Sequence, residues 1–146
     1  MRDLIESIAG EHVTERTNRT LIIVNAAGRR ILVEFGSDPD VRATEMIGNG
    51  RRVLVCMEVK GGKDRSNIHN RLGEAEKSHI KTKKLGCTDL WTLLGVNLPE
   101  EVARERSPTT TLFFYIDDIM NTKTAGAEQF RNHLISIFGL PIFEHR

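Results

Sequence analysis

At 146 residues the chain is long enough to bury a core of its own, and its 2 cysteines, Cys56 and Cys87, lack the spacing of a zinc site. A formal net charge of +1 neither demands nor excludes a nucleic-acid partner. No signal peptide and no apolar run of membrane-spanning length occur, so the chain reads as a soluble, cytoplasmic protein with no membrane partner, one domain over residues 1–146.

In chain order, residues 2–9 predict a short helix with Leu4, Ile5 and Ile8 on one side and Gly10 at its end. TLIIVN (20–25) and ILVEF (31–35) read as strands joined by a glycine-containing turn. GSDPD (36–40) interrupts the pattern, because Pro39 cannot donate to a ladder. VRATEMI (41–47), the turn GNG (48–50) and RVLVCMEVK (52–60) predict a hairpin. GGKDRS is a loop with Ser66 as the expected N-cap of a helix from Asn67 to about Lys84. TDLWTLLGVN fits helix and strand equally. PEEVARERS (99–107) opens like a helix, TLFFYI (111–116) reads as a strand, and 124–138 as an amphipathic helix. The expected fold is α/β, a mixed central sheet flanked by helices.

The chemistry concentrates at VCMEVKGGKD (55–64). Along a strand, alternate residues share a face, so Val53, Val55, Met57 and Val59 form an apolar side. Arg52, Leu54, Cys56, Glu58 and Lys60 form the other, which becomes charged only at its C-terminal end. If Gly48, Asn49 and Gly50 form a three-residue loop, Ile47 faces Arg51, Val41 faces Met57 and Asp40 sits opposite Glu58. A two-residue loop would shift that register by one and turn Asp40 to the wrong face. Two carboxylates about 5 Å apart repel unless a cation lies between them, and hard oxygen ligands with an open position suit magnesium.

Pro39-Asp40 followed by Glu58-Val59-Lys60 resembles the PD-(D/E)XK nuclease superfamily. The resemblance implies that Asp40 and Glu58, with the Val59 carbonyl, hold Mg²⁺. Lys60 would orient the attacking water and stabilise charge on the phosphate. Asp38 competes with Asp40 as the first metal ligand, and Glu6 or Glu11 could add an acid from the first helix. Asp117 and Asp118 are adjacent and are better read as a loop or cap than as a second metal site.

The helix after this strand carries Asn67, Asn70, Glu74, Lys77 and Lys81 at steps of three and four, with Ile68, Leu72, Ala75 and Ile80 expected against the sheet. From Lys60 to Lys84 eight Lys or Arg stand against three acids. Lys63, Asn67, Asn70, Arg71, Lys77 and Lys81 are therefore the expected contacts to double-stranded DNA. His79 reads as a packed or phosphate-facing side chain, and Trp91 as part of the core.

EVKGGKD followed by SNIHNRLGEAEKSH is similar to the XcyI-type family of type II restriction endonucleases, over residues near 38 to 92. That resemblance implies a homodimeric, Mg²⁺-dependent enzyme cutting within the palindrome CCCGGG, with this chain a compact or partial member of a family of longer chains. Two other functions compete. One is a Holliday-junction resolvase or other structure-specific nuclease; the other is a non-catalytic DNA-binding module whose acidic pair is structural.

Overall fold

The computed structural model describes residues 1–142; positions 143–146, the end of the expected domain range, lie outside the described residues. One seven-stranded sheet runs through the molecule in the order β1 to β7. The strands are β1 (Val13–Arg16), β2 (Thr20–Val24), β3 (Arg30–Phe35), β4 (Val41–Ile47), β5 (Gly50–Lys60), β6 (Leu90–Leu94) and β7 (Leu112–Tyr115). The first five are antiparallel neighbours, whereas β5, β6 and β7 are parallel, giving the expected mixed sheet. Parallel neighbours need crossovers. These are α2 (Ile68–Lys83), between β5 and β6, and α3 (Glu100–Arg106), between β6 and β7. The helix α1 (Arg2–Ala9) precedes the sheet, and α4 (Ile116–Ile119) and α5 (Ala125–Phe138) follow it. Among the described residues no helix is long and apolar enough to cross a membrane.

The two faces of the sheet are covered differently. Residues of α1 and α5, among them Ile5, Phe130, Leu134 and Phe138, close over Leu21, Ile31, Val55, Met57 and Trp91 in one apolar core. Trp91 is fully buried and meets Phe114 and Phe130 edge-on at 5.3 and 5.7 Å between ring centroids. On the other face α2 and α3 pack Ile68, Leu72 and Ala103 against Leu94 and the partly buried Phe113 and Tyr115. Because both faces of β6 are covered, all five of its residues are buried. That leaves no alternation for the sequence to display, which is why its type stayed ambiguous.

Three expectations need correction, and one strand is added. β1 was not foreseen: it is an edge strand in which only Val13 is buried, so it shows no periodicity. Ser66 is not the cap of α2; a 3₁₀ turn (Arg65–Asn67) precedes the helix, and Asp64 caps that turn by accepting the Ser66 N–H. Ile80 is largely exposed, while His79 occupies the buried phase of α2 together with Ile68, Leu72, Ala75 and Thr82.

The third concerns the hairpin. Its loop has two residues, Gly48 and Asn49, and Ile47 faces Gly50 rather than Arg51. Gly48 takes the positive φ (+55°) such a tight turn requires. Left alone, this would have turned Asp40 away from Glu58. A β-bulge at Leu54 adds one residue to β5, so Thr44 faces Val53 but Ala43 faces Val55, and Val41 faces Met57 as expected. The bulge also exchanges two side chains. Leu54 packs with the Val55–Met57 core, and Val53 joins Cys56, Cys87 and Leu90 on the opposite face.

Candidate active site

The site forms where β5 emerges at its C-terminal end. Asp40 precedes β4, and its Oδ2 accepts the backbone N–H of Val59 at 2.7 Å, which ties the start of one strand to the end of the other. Glu58 lies on the adjacent position, only 3 % exposed, and its Oε1 has no hydrogen-bond partner among the described residues. Lys60, two residues on and on the same face, places Nζ 3.7 Å from Glu58 Oε2 and 3.8 Å from Glu74 Oε2 of α2. Burial pushes the Glu58 carboxyl up to about 7, and the Asp40 charge adds to this, while the Ser78 hydroxyl and Lys60 oppose it. A carboxylate that costs this much to ionise is relieved by a cation.

The backbone after Lys60 is held by a close contact. Gly95, following β6, donates its N–H to the Lys60 carbonyl at 2.8 Å. A Cβ on Gly95 would clash with the Gly61 carbonyl oxygen, so the two glycine-bearing loops approach as only backbones can.

Asp38 is engaged from α2. Its Oδ1 accepts the Ser78 hydroxyl at 3.0 Å and its Oδ2 lies 3.5 Å from Lys81 Nζ, contacts that hold its carboxyl below the ordinary range. Of the two candidate first acids, Asp40 is the one linked to the Glu58–Lys60 strand. Glu6 forms an ion pair with Arg16 of β1, and Glu11 lies exposed in a 3₁₀ turn. Among the described residues no third acid, histidine or cysteine joins Asp40 and Glu58. The donor set is thus two carboxylate groups, one with an unpartnered oxygen, and backbone carbonyls. That fits magnesium, which binds through one or two carboxylates and keeps several waters. Asp117 and Asp118 open α4, and Asp117 pairs with Lys63 at 2.6 Å.

The expected DNA-contacting residues lie along the 63–81 segment. Lys63, Asn67, Asn70, Lys77 and Lys81 are exposed, with the Asn70 amide donating to Asn67 at 3.2 Å. The Arg71 guanidinium lies over Gly62, filling the space a Cβ would need. Sequence reasoning missed Ser78, the hydroxyl between Asp38 and Glu58. Its position one helical turn after Glu74 was the available signal. It also missed the role of His79, whose Nε2 is 2.8 Å from the Thr92 hydroxyl, itself 2.7 Å from that of Thr110. Thr92 pairs with Glu58 across the β5–β6 ladder. Burial lowers the His79 imidazole to about 4.

A model of the XcyI restriction endonuclease family matches residues 1–141. The type II restriction enzyme Cfr9I of Citrobacter freundii is 39% identical over 137 residues, covering 92% of this chain and 42% of the relative. The type II restriction enzyme XcyI of Xanthomonas campestris pv. cyanopsidis is 38% identical over 143 residues, covering 95% of this chain and 42% of the relative. The chain thus spans less than half the length of these curated relatives. No solved structure matches it.

Proposed function

The chain belongs to the XcyI restriction endonuclease family, and from that premise we propose that it carries the phosphodiester-hydrolysing centre of a Mg²⁺-dependent type II restriction endonuclease acting on a short palindrome in double-stranded DNA. The observation that carries this reading is the buried Glu58 carboxyl with its unpartnered Oε1, set beside Asp40 and two residues from Lys60.

Asp40, Glu58 and the Val59 carbonyl would hold the metal. When bound, such an ion lowers the pKa of a water and offsets charge on the phosphate. The residues of the chain do the rest. The Val59 N–H fixes the Asp40 carboxylate, so its second oxygen is presented rather than free to rotate. Lys60 sets Nζ between Glu58 and Glu74, positioned to orient the attacking water and to stabilise negative charge on the phosphate. Lys63, Asn67, Asn70, Arg71, Lys77 and Lys81 would contact DNA along the adjoining loop and helix. One such centre cuts one strand, so cutting both strands of a palindrome calls for a two-fold homodimer.

The test is cleavage of plasmid DNA by the purified chain, with Mg²⁺ in one tube and EDTA in the other. Discrete Mg²⁺-dependent fragments are expected, and Lys60→Ala should slow their formation by about 10³-fold or more while leaving the fold intact. Binding without cleavage in both tubes would replace this reading with a DNA-binding module.

A further inference from the structure

The helices α2 and α3 cover only the β5–β7 half of their face of the sheet. Over β2–β4 that face opens into hollows of about 410, 140 and 820 Å³. Glu34 and Arg42 border the first two, and Leu32 and Met46 the last two, so they form one trough. Its floor follows the ladder in rows: Arg30–Met46–Arg51, then Leu32–Thr44–Val53, then Glu34–Arg42–Cys56. The next position on β5 is Glu58. The trough therefore leads along roughly 20 Å of sheet from the Gly48 hairpin tip to the candidate active site, on the same face.

Four arginines line it, Arg19, Arg30, Arg42 and Arg51, against two acids, Glu34 and Asp38. The acids are engaged. Glu34 holds Arg42 at 3.1 Å, and Asp38 is shared by Ser78 and Lys81. Arg19, Arg30 and Arg51 are exposed and have no ion-pair partner among the described residues. The linear charge count hides this surface, because its arginines come from four separate stretches that only strand pairing brings together.

We propose that this trough is a track for the phosphate backbone of duplex DNA flanking the scissile bond. The proposal rests on the nuclease reading of the adjoining site. The excess of arginine favours a polyanion over a second copy of the same face, which would set like charges against each other. The contact is to phosphates, so it is independent of base sequence.

The test compares the unaltered chain with an Arg30→Gln/Arg51→Gln double variant, in EDTA, by binding to a fluorescent DNA duplex as salt is raised. Loss of two phosphate contacts should lower the log–log salt slope by about 1.8. From roughly 50 to 200 mM salt the unaltered chain would then lose about twelve-fold more affinity than the variant. An Arg30→Lys/Arg51→Lys control should keep the slope. Intact binding with an unchanged slope would overturn the track and leave the nuclease reading standing. A change in sedimentation behaviour in place of a change in slope would assign the face to a second copy and also overturn it. Failure of the unaltered chain to bind duplex DNA at all would remove both readings.

Discussion

The two sides of β5 are built for opposite ends. On one, Val55 and Met57 lie fully buried in an apolar core beneath α1 and α5. On the other, Glu58 is almost as buried but beneath α2, beside a second acid, a lysine and a hydroxyl. Burial stabilises the first side through apolar area removed from water. On the second, the same burial makes ionisation costly, and that cost creates a place for a cation. Equal depth in one strand therefore yields stability on one face and a strained, partly unpartnered carboxyl on the other.

The comparison breaks most sharply with a pair of substitutions. Glu58→Gln should lower plasmid cleavage by about 10³-fold or more, yet leave the metal-free chain at least as stable near pH 8, because a neutral amide replaces a strained carboxylate. Trp91→Ala should do the reverse to stability, costing about 3–5 kcal/mol in denaturant titration through the cavity it leaves. A Glu58→Gln chain that cuts normally would remove Glu58 from the site.

The next effect concerns pH. His79 is held near 4, below its ordinary 6.5, so the unfolded chain binds the extra proton between these values and His79 makes stability rise with pH there. Glu58 is held near 7, above its ordinary 4.5, so the folded chain binds the extra proton and Glu58 makes stability fall as pH rises across that range. Each amounts to about 3 kcal/mol, and between pH 4.5 and 6.5 their slopes oppose each other. In metal-free urea titrations, His79→Gln should expose the falling slope and Glu58→Gln the rising one. Parallel slopes in the two variants would show that these groups do not govern the pH response.

Smaller effects sharpen the picture of the site. Deleting Leu54 should remove the bulge and join Val53 to Val55 in a continuous ladder without moving Asp40 from Glu58. The expected cost is about 1–2 kcal/mol, for loss of the partly buried Leu54, with cleavage retained. Loss of cleavage would mean the bulge itself shapes the site. Ser78→Ala should move the Glu58 carboxyl titration upward, because the hydroxyl stabilises its charged form; carboxyl NMR of the metal-free chain reads the change.

The sequence by itself determined much that is local. The β5 pattern, the breaker at Pro39, the spacing of the α2 polar face and the Asp40, Glu58, Lys60 order are all properties of neighbouring residues, and backbone periodicity translates them directly into faces. It could not decide β6, because a strand covered on both sides loses its alternation. It misjudged the hairpin, because a two-residue loop and a bulge at Leu54 cancel over a distance that no local pattern spans. Only the tertiary structure brought Ser78 and Glu74 to the site, raised the Glu58 carboxyl by enclosing it, and gathered distant arginines into one trough. Those features depend on which strands lie side by side and which faces the helices cover, and long-range packing decides both.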